Sequence, residues 1–106
     1  MFEPRSFGVN FGVKSALKKV EDVRRGESRI AYSPHIYPFF IHEDVPYGTA
    51  DKKQVSNWSR HRAKELNLHN APLWVGEIGA NENVGDFNNY IEEALNILDY
   101  MGAGWA

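Results

Sequence analysis

Apolar residues recur along this chain in several rhythms, and each rhythm predicts its own kind of element. In Ala71–Gly79 a continuous run of Leu73, Trp74 and Val75 is bounded by Pro72 and Gly76. A short run of that kind, closed by punctuating residues, predicts a strand buried on both faces. Such strands belong to parallel sheets covered by helices, and Trp74 is assigned to packing within one. Ile30, Ala31 and Tyr32 predict a second strand whose regular ladder stops at Pro34. Three stretches return every three or four residues instead. Val13, Ala16, Leu17 and Val20, with Lys14, Lys18 and Lys19 between them, predict a helix from about Gly12 to Arg24, ended near Gly26. Arg24 and Arg25 would sit in its last turn, where cations suit the helix dipole. Val55, Trp58, Arg62 and Leu66 form the stripe of a helix over residues 51–68, capped by Thr49 or Asp51. Arg60, His61, Arg62 and Lys64 read as its solvated face. Phe87, Tyr90, Ile91, Ala94, Leu95, Leu98 and Met101 form the cleanest stripe, with Asp86 or Asn83 as cap and Gly102 as stop.

Between a strand remnant at Met1–Pro4 and a strand beginning at Gly102–Ala106, the order is helix, strand, helix, strand, helix. Alternation of this kind predicts a parallel α/β architecture. Both ends fall inside elements, which predicts a piece of a larger barrel. A lone piece would expose strand edges, through which it can self-associate as a homo-oligomer. The 106 residues suffice for one domain with a core. A net charge of -2 argues against the basic stripe of a nucleic-acid binder. Without cysteine there are no disulfides or thiolate metal sites, and the compartment is not legible from redox chemistry. No apolar run approaches the roughly 20 residues of a membrane span, and Phe2-Glu3-Pro4-Arg5 is no signal peptide.

Candidate chemistry gathers at the predicted strand ends. Glu77, between Gly76 and Gly79, falls at the C-terminal end of its strand, where α/β proteins build active sites. It is either a functional carboxylate or the first solvated residue after the strand. His35 and Tyr37 are two residues apart, so an extended backbone points both to one side. There they either hydrogen-bond a carboxylate or substrate hydroxyl, or satisfy each other at a half-buried edge. His42 and Glu43 lack the second histidine at helical spacing that a metal site would need. Three tryptophans, five tyrosines and six phenylalanines serve either core packing or stacking on a ligand.

Tyr32-Ser33-Pro34-His35-Ile36-Tyr37, Ala71 to Gly79 and Gly102-Ala103-Gly104-Trp105-Ala106 together resemble glycoside hydrolase family 5. These are retaining (β/α)8 enzymes that include cellulases, mannanases and endoglycoceramidases. The family's strand-six His-x-Tyr, strand-seven Gly-Glu-x-Gly and strand-eight tryptophan look matched in order and spacing. The Phe2-Glu3-Pro4 opening is similar to the end of strand five in endoglycoceramidase-like members. The resemblance implies the C-terminal portion of a TIM barrel, from the end of strand five to strand eight, as one partial domain over residues 1–106. A complete barrel typically takes ~250 residues.

By this resemblance Glu77 is the nucleophile, Tyr37 orients it and keeps it ionised, and His35 contacts sugar hydroxyls or the catalytic carboxylates. Trp105 stacks on the sugar and Glu3 lines the cleft edge. No cofactor or metal is implied, because the two-carboxylate mechanism needs none. One departure matters. The family's acid/base glutamate follows an asparagine at the end of strand four, and the only Asn-Glu pair here, Asn81-Glu82, comes after strand seven. The isolated chain is therefore expected to be inactive on natural substrates. Those are β-linked oligosaccharides, polysaccharides or glycolipids, with the β-glucan reading slightly preferred over an endoglycoceramidase-like one. The Phe39-Phe40-Ile41 loop either meets a lipid aglycone or packs on the next helix.

Overall fold

The computed structural model describes residues 1–106, and its core is an arc of four chain segments running parallel in chain order. Phe2 pairs with Tyr32, Tyr32 with Leu73, and Ile36 with Ile78. Strand β1 (Trp74–Val75) then pairs with strand β2 (Gly104–Trp105). The first crossover between neighbours contains only the single turn α1 (Ser6–Val9); the second holds the turn α2 (Phe39–His42) and helix α3 (Lys53–His69); the third holds helix α4 (Phe87–Tyr100). This is the α/β arrangement that the alternation predicts.

The stripes of α3 and α4 close the core. Val55 and Trp58 from α3, with Tyr90, Ala94 and Leu98 from α4, pack on Tyr32, Ile36, Leu73 and Val75 of the strands, and all are buried. Burial of this apolar surface drives the association of the layers. The Asp51 carboxylate accepts the Lys53 N–H at 3.1 Å at the start of α3. At Asp86 the backbone takes φ +64°, and its carboxylate accepts the Gly48 N–H at 3.0 Å instead of capping α4. Gly102, at φ +65°, ends α4 as expected.

Other expectations fail, each for a physical reason. No helix forms over Gly12–Arg24. Two backbone donors there go to side chains of α3: Ser15 N–H to the Glu65 carboxylate at 2.8 Å, and Val20 N–H to His69 Nδ1 at 3.1 Å. Arg62 in turn donates to the carbonyls of Val9 and Val13 at 2.9 and 2.8 Å. Arg24 meets no helix dipole; it pairs with Asp22 at 2.7 Å in the turn that follows. Arg62 also leaves the solvated face. It is fully buried and bonded to Glu65 at 2.7 Å. Finally, Trp74 is 39% exposed while its neighbours Leu73 and Val75 are buried. Its strand alternates, with one face under the helices, and the Trp74 ring lies over Gly104, where any larger residue would collide with it.

Candidate active site

His35 and Tyr37 flank the fully buried Ile36, so both project from the face opposite the helices. The prolines on either side, Pro34 and Pro38, lack the N–H that would prolong a ladder. The intervening backbone is pinned from three directions. Trp58 Nε1 donates to the His35 carbonyl at 2.8 Å, and the Tyr90 hydroxyl to the Ile36 carbonyl at 3.4 Å. The Tyr37 N–H donates to the Asn10 carbonyl at 3.1 Å.

Glu77 reaches the same face by an irregularity. Tyr32 pairs with Leu73 and Ile36 with Ile78, so a span of four residues on one strand faces a span of five on the other. The strand leading from β1 therefore carries one extra residue, a bulge between Val75 and Ile78. Bulges turn a side chain out of strict alternation and occur beside active sites. Here the bulge lets both Gly76 and Glu77 face the side from which His35 and Tyr37 project. Gly76 permits a close approach, since a Cβ there would lie 3.2 Å from Ser33 Oγ and 3.4 Å from His35 Nε2.

The Glu77 carboxylate ends 3.6 Å from His35 Nδ1 and its side chain is 59% exposed, open to a ligand. At 3.6 Å the imidazole lies beside the carboxylate without a direct hydrogen bond. Burial, followed by the charge of Glu77, holds the Tyr37 hydroxyl above its ordinary value. The phenol thus keeps its proton and faces the Glu77 carboxylate as a donor. A carboxylate is a group that can attack an electrophilic carbon, and this one is exposed beside a phenol and an imidazole.

The structure thus brings Glu77, His35 and Tyr37 together. Trp105 sits in register with Val75, half-exposed, and the exposed Glu3 follows Phe2 on the first strand. Neither makes a hydrogen bond or ion pair with Glu77. The residues that sequence reasoning missed are Trp58, placed in the core stripe without its polar handle, and Asn10, which no pattern in the sequence singles out. Beside Tyr37 a row of rings runs outward. The His42 ring lies 6.3 Å from Tyr37, Phe11 lies 5.5 Å from both His42 and Phe39, and Phe7 lies 6.0 Å from Phe11. Phe7 at its outer end is 91% exposed. Asn81 ties its loop to the one before Val45 by donating to the Asp44 carboxylate at 3.1 Å.

No family model and no curated protein matches this chain. Solved structures do. Endo-glycoceramidase II from Rhodococcus sp., in a complex with a cellobiose-like isofagomine, aligns over 98% of the chain at 33% identity with a TM-score of 0.88. The same enzyme in its ganglioside GM3 complex aligns over 98% at 30% identity and TM-score 0.89. Its lactosyl-enzyme intermediate aligns over 98% at 33% identity and TM-score 0.84. The chain spans about a quarter of the length of that enzyme, 24% in the first two comparisons and 23% in the third.

Proposed function

Because this chain has the fold of a segment of a glycoside hydrolase family 5 barrel, we propose that it carries the nucleophile half of a retaining β-glycosidase site. Glu77 attacks the anomeric carbon, the glycosidic C–O bond breaks, and a glycosyl ester forms on the carboxylate until water releases it. Tyr37 orients the carboxylate through its phenol, and His35 faces the same oxygens. Trp105 stacks on the sugar and Glu3 lines the edge of the cleft. The observation that carries this reading is the convergence of His35, Tyr37 and Glu77 on one strand-end face, with His35 Nδ1 3.6 Å from Glu77.

Departure of an unactivated alcohol also needs a proton from a second carboxyl group about 5–5.5 Å from the first. We assign no residue of this chain to that role, so the chain by itself is incomplete for natural glycosides. Loss of acid catalysis costs about 10²–10⁴-fold on such substrates. Among substrates, the likeness to endo-glycoceramidase II and the row of rings from Tyr37 to Phe7 support a glycolipid or similar β-glycoconjugate over a plain β-glucan. An apolar aglycone would lie along those rings.

The test is covalent labelling by 2,4-dinitrophenyl 2-deoxy-2-fluoro-β-lactoside and its cellobioside counterpart, read by intact mass. Dinitrophenolate leaves without protonation, so the nucleophile is probed alone. A single glycosyl adduct on the wild type, absent from Glu77→Gln, is the expected result. An unlabelled chain, or equal labelling of both proteins, counts against the reading. A second reading rests on the arc's outer segments, Phe2 and β2, each of which pairs on one side only. Self-association through those edges would give a homo-oligomer, visible as a mass above 12.1 kDa in light scattering.

A further inference from the structure

We infer that Trp58 is a positioning residue for the Glu77 site, its indole N–H fixing the strand end from which His35 and Tyr37 face the carboxylate. The inference deepens the glycosidase reading and rests on it for its functional meaning. Its geometry stands without that reading.

Between Pro34 and Pro38 the chain has few ways to hold its shape. Only the Ile36 N–H joins the ladder toward the nucleophile strand, donating to the Glu77 carbonyl at 3.1 Å. A single bond leaves rotation about the strand axis free, and a small rotation there swings His35 and Tyr37 together relative to Glu77. The Trp58 N–H removes that freedom from below, at 2.8 Å to the His35 carbonyl. It comes from a side chain that is itself fully buried, with the Arg62 guanidinium 5.8 Å over its ring. A donor held this rigidly sets a position, because neither partner can shift without opening the core. Tyr90 of α4 adds a longer bond to the Ile36 carbonyl at 3.4 Å, between the two site residues, and α3 governs the anchor on Tyr37. Arg62 fixes the Val9 carbonyl at 2.9 Å, and Asn10, the next residue, accepts the Tyr37 N–H. Both backbone restraints on the site's two flanking side chains thus lead back to α3. A buried indole needs some acceptor for its N–H. Here the acceptor is the main chain of a site residue, where any core carbonyl would have satisfied that need.

The test uses the Tyr37 phenol as reporter, because its ionisation responds to the Glu77 charge and needs no substrate. Tyr37 is followed through a pH titration by 13C NMR of ring-labelled tyrosine, with its resonance assigned from Tyr37→Phe. Four proteins form a cycle: wild type, Glu77→Gln, Trp58→Phe and the double variant. The expected result is that Glu77→Gln lowers the Tyr37 midpoint in the wild-type background and lowers it less in the Trp58→Phe background. Equal lowering in both backgrounds overturns the inference and leaves Trp58 a core residue that affects stability alone. Should Trp58→Phe fail to fold, β-(3-benzothienyl)alanine at position 58 keeps the shape without the N–H and decides by the same criterion. Failure of this cycle with intact glycosyl labelling removes the positioning role only. Labelling failure with an intact cycle removes the glycosidase reading only.

Discussion

Gly12 takes φ +93°, and a Cβ on it would lie 2.5 Å from the Gln54 carbonyl oxygen and 3.1 Å from the Trp58 amide. Left-handed backbone and close approach to a helix combine at one position, so no other residue fits without moving the loop that holds Asn10. Gly12→Ala is expected to cost on the order of 1–3 kcal/mol, seen as a lower urea midpoint with unchanged slope. A neutral substitution there would mean that the loop does not press on α3. At the site itself, His35 and Tyr37 were legible from a two-residue spacing, and Glu77 from its place after an apolar run between glycines. What brings them together was not legible. The extra residue at the bulge appears only when the pairing of both strands is known, and nothing in Val75-Gly76-Glu77-Ile78 alone announces it. The exposure of Trp74 was not legible either, because a run of three apolar residues looks the same whether or not the middle one is covered.

Among the elements, the first crossover shows how tertiary bonding overrides spacing. Val13, Leu17 and Val20 have helical intervals, yet Val13 is exposed and the neighbouring Val23 is 96% exposed. The segment instead straps across α3, and its backbone is satisfied by Glu65, His69 and Arg62. Those partners lie about 50 residues away in sequence, beyond any local pattern. Glu65 is the hub. It accepts from Arg62, from the Tyr32 hydroxyl at 2.7 Å and from the Ser15 N–H. Burial alone would raise its pKa, but these bonds outweigh it and hold the carboxyl below its ordinary value. Arg62→Met would strand that buried charge, at a cost of about 3–5 kcal/mol in thermal or urea unfolding. Amide exchange at Ser15 should accelerate in the same variant. Adding Glu65→Gln removes the charge while keeping a carbonyl acceptor, so the double variant should recover part of the loss. No recovery would show that the pair acts through packing.

At the scale of the whole molecule the parallel arc and the α3 and α4 layers were legible from alternating periods, whereas the way acid acts on the fold follows only from the tertiary contacts. His69, at the C-terminal end of α3, is buried against the rings of Phe2 and Tyr32, with ring centroids 5.0 and 5.1 Å away. Its Nδ1 accepts the Val20 N–H, so the folded protein needs this nitrogen unprotonated. Burial lowers its pKa from 6.5, against the opposing pull of Glu65. The sign follows from proton counts. Below pH 6.5 the unfolded chain's imidazole takes up a proton that the folded one resists, so stability is full above that pH and declines as pH falls. His61 on the same helix is lowered too, by burial and then by Arg60 and Arg62, and adds a contribution of the same sign. Below pH 4.5 the depressed Glu65 carboxyl adds a further loss. Unfolding free energy measured from pH 7.5 to pH 5 should therefore fall. His69→Asn, whose Oδ1 can still accept the Val20 N–H, should flatten the slope, and His61→Asn should remove most of the remainder. The Val20 amide should lose protection over the same interval in the wild type, as the crossover strap loosens before the strands part. An unchanged slope in His69→Asn would place the acid sensitivity elsewhere, and a Val20 amide that stays protected at pH 5 would show that the strap holds without His69.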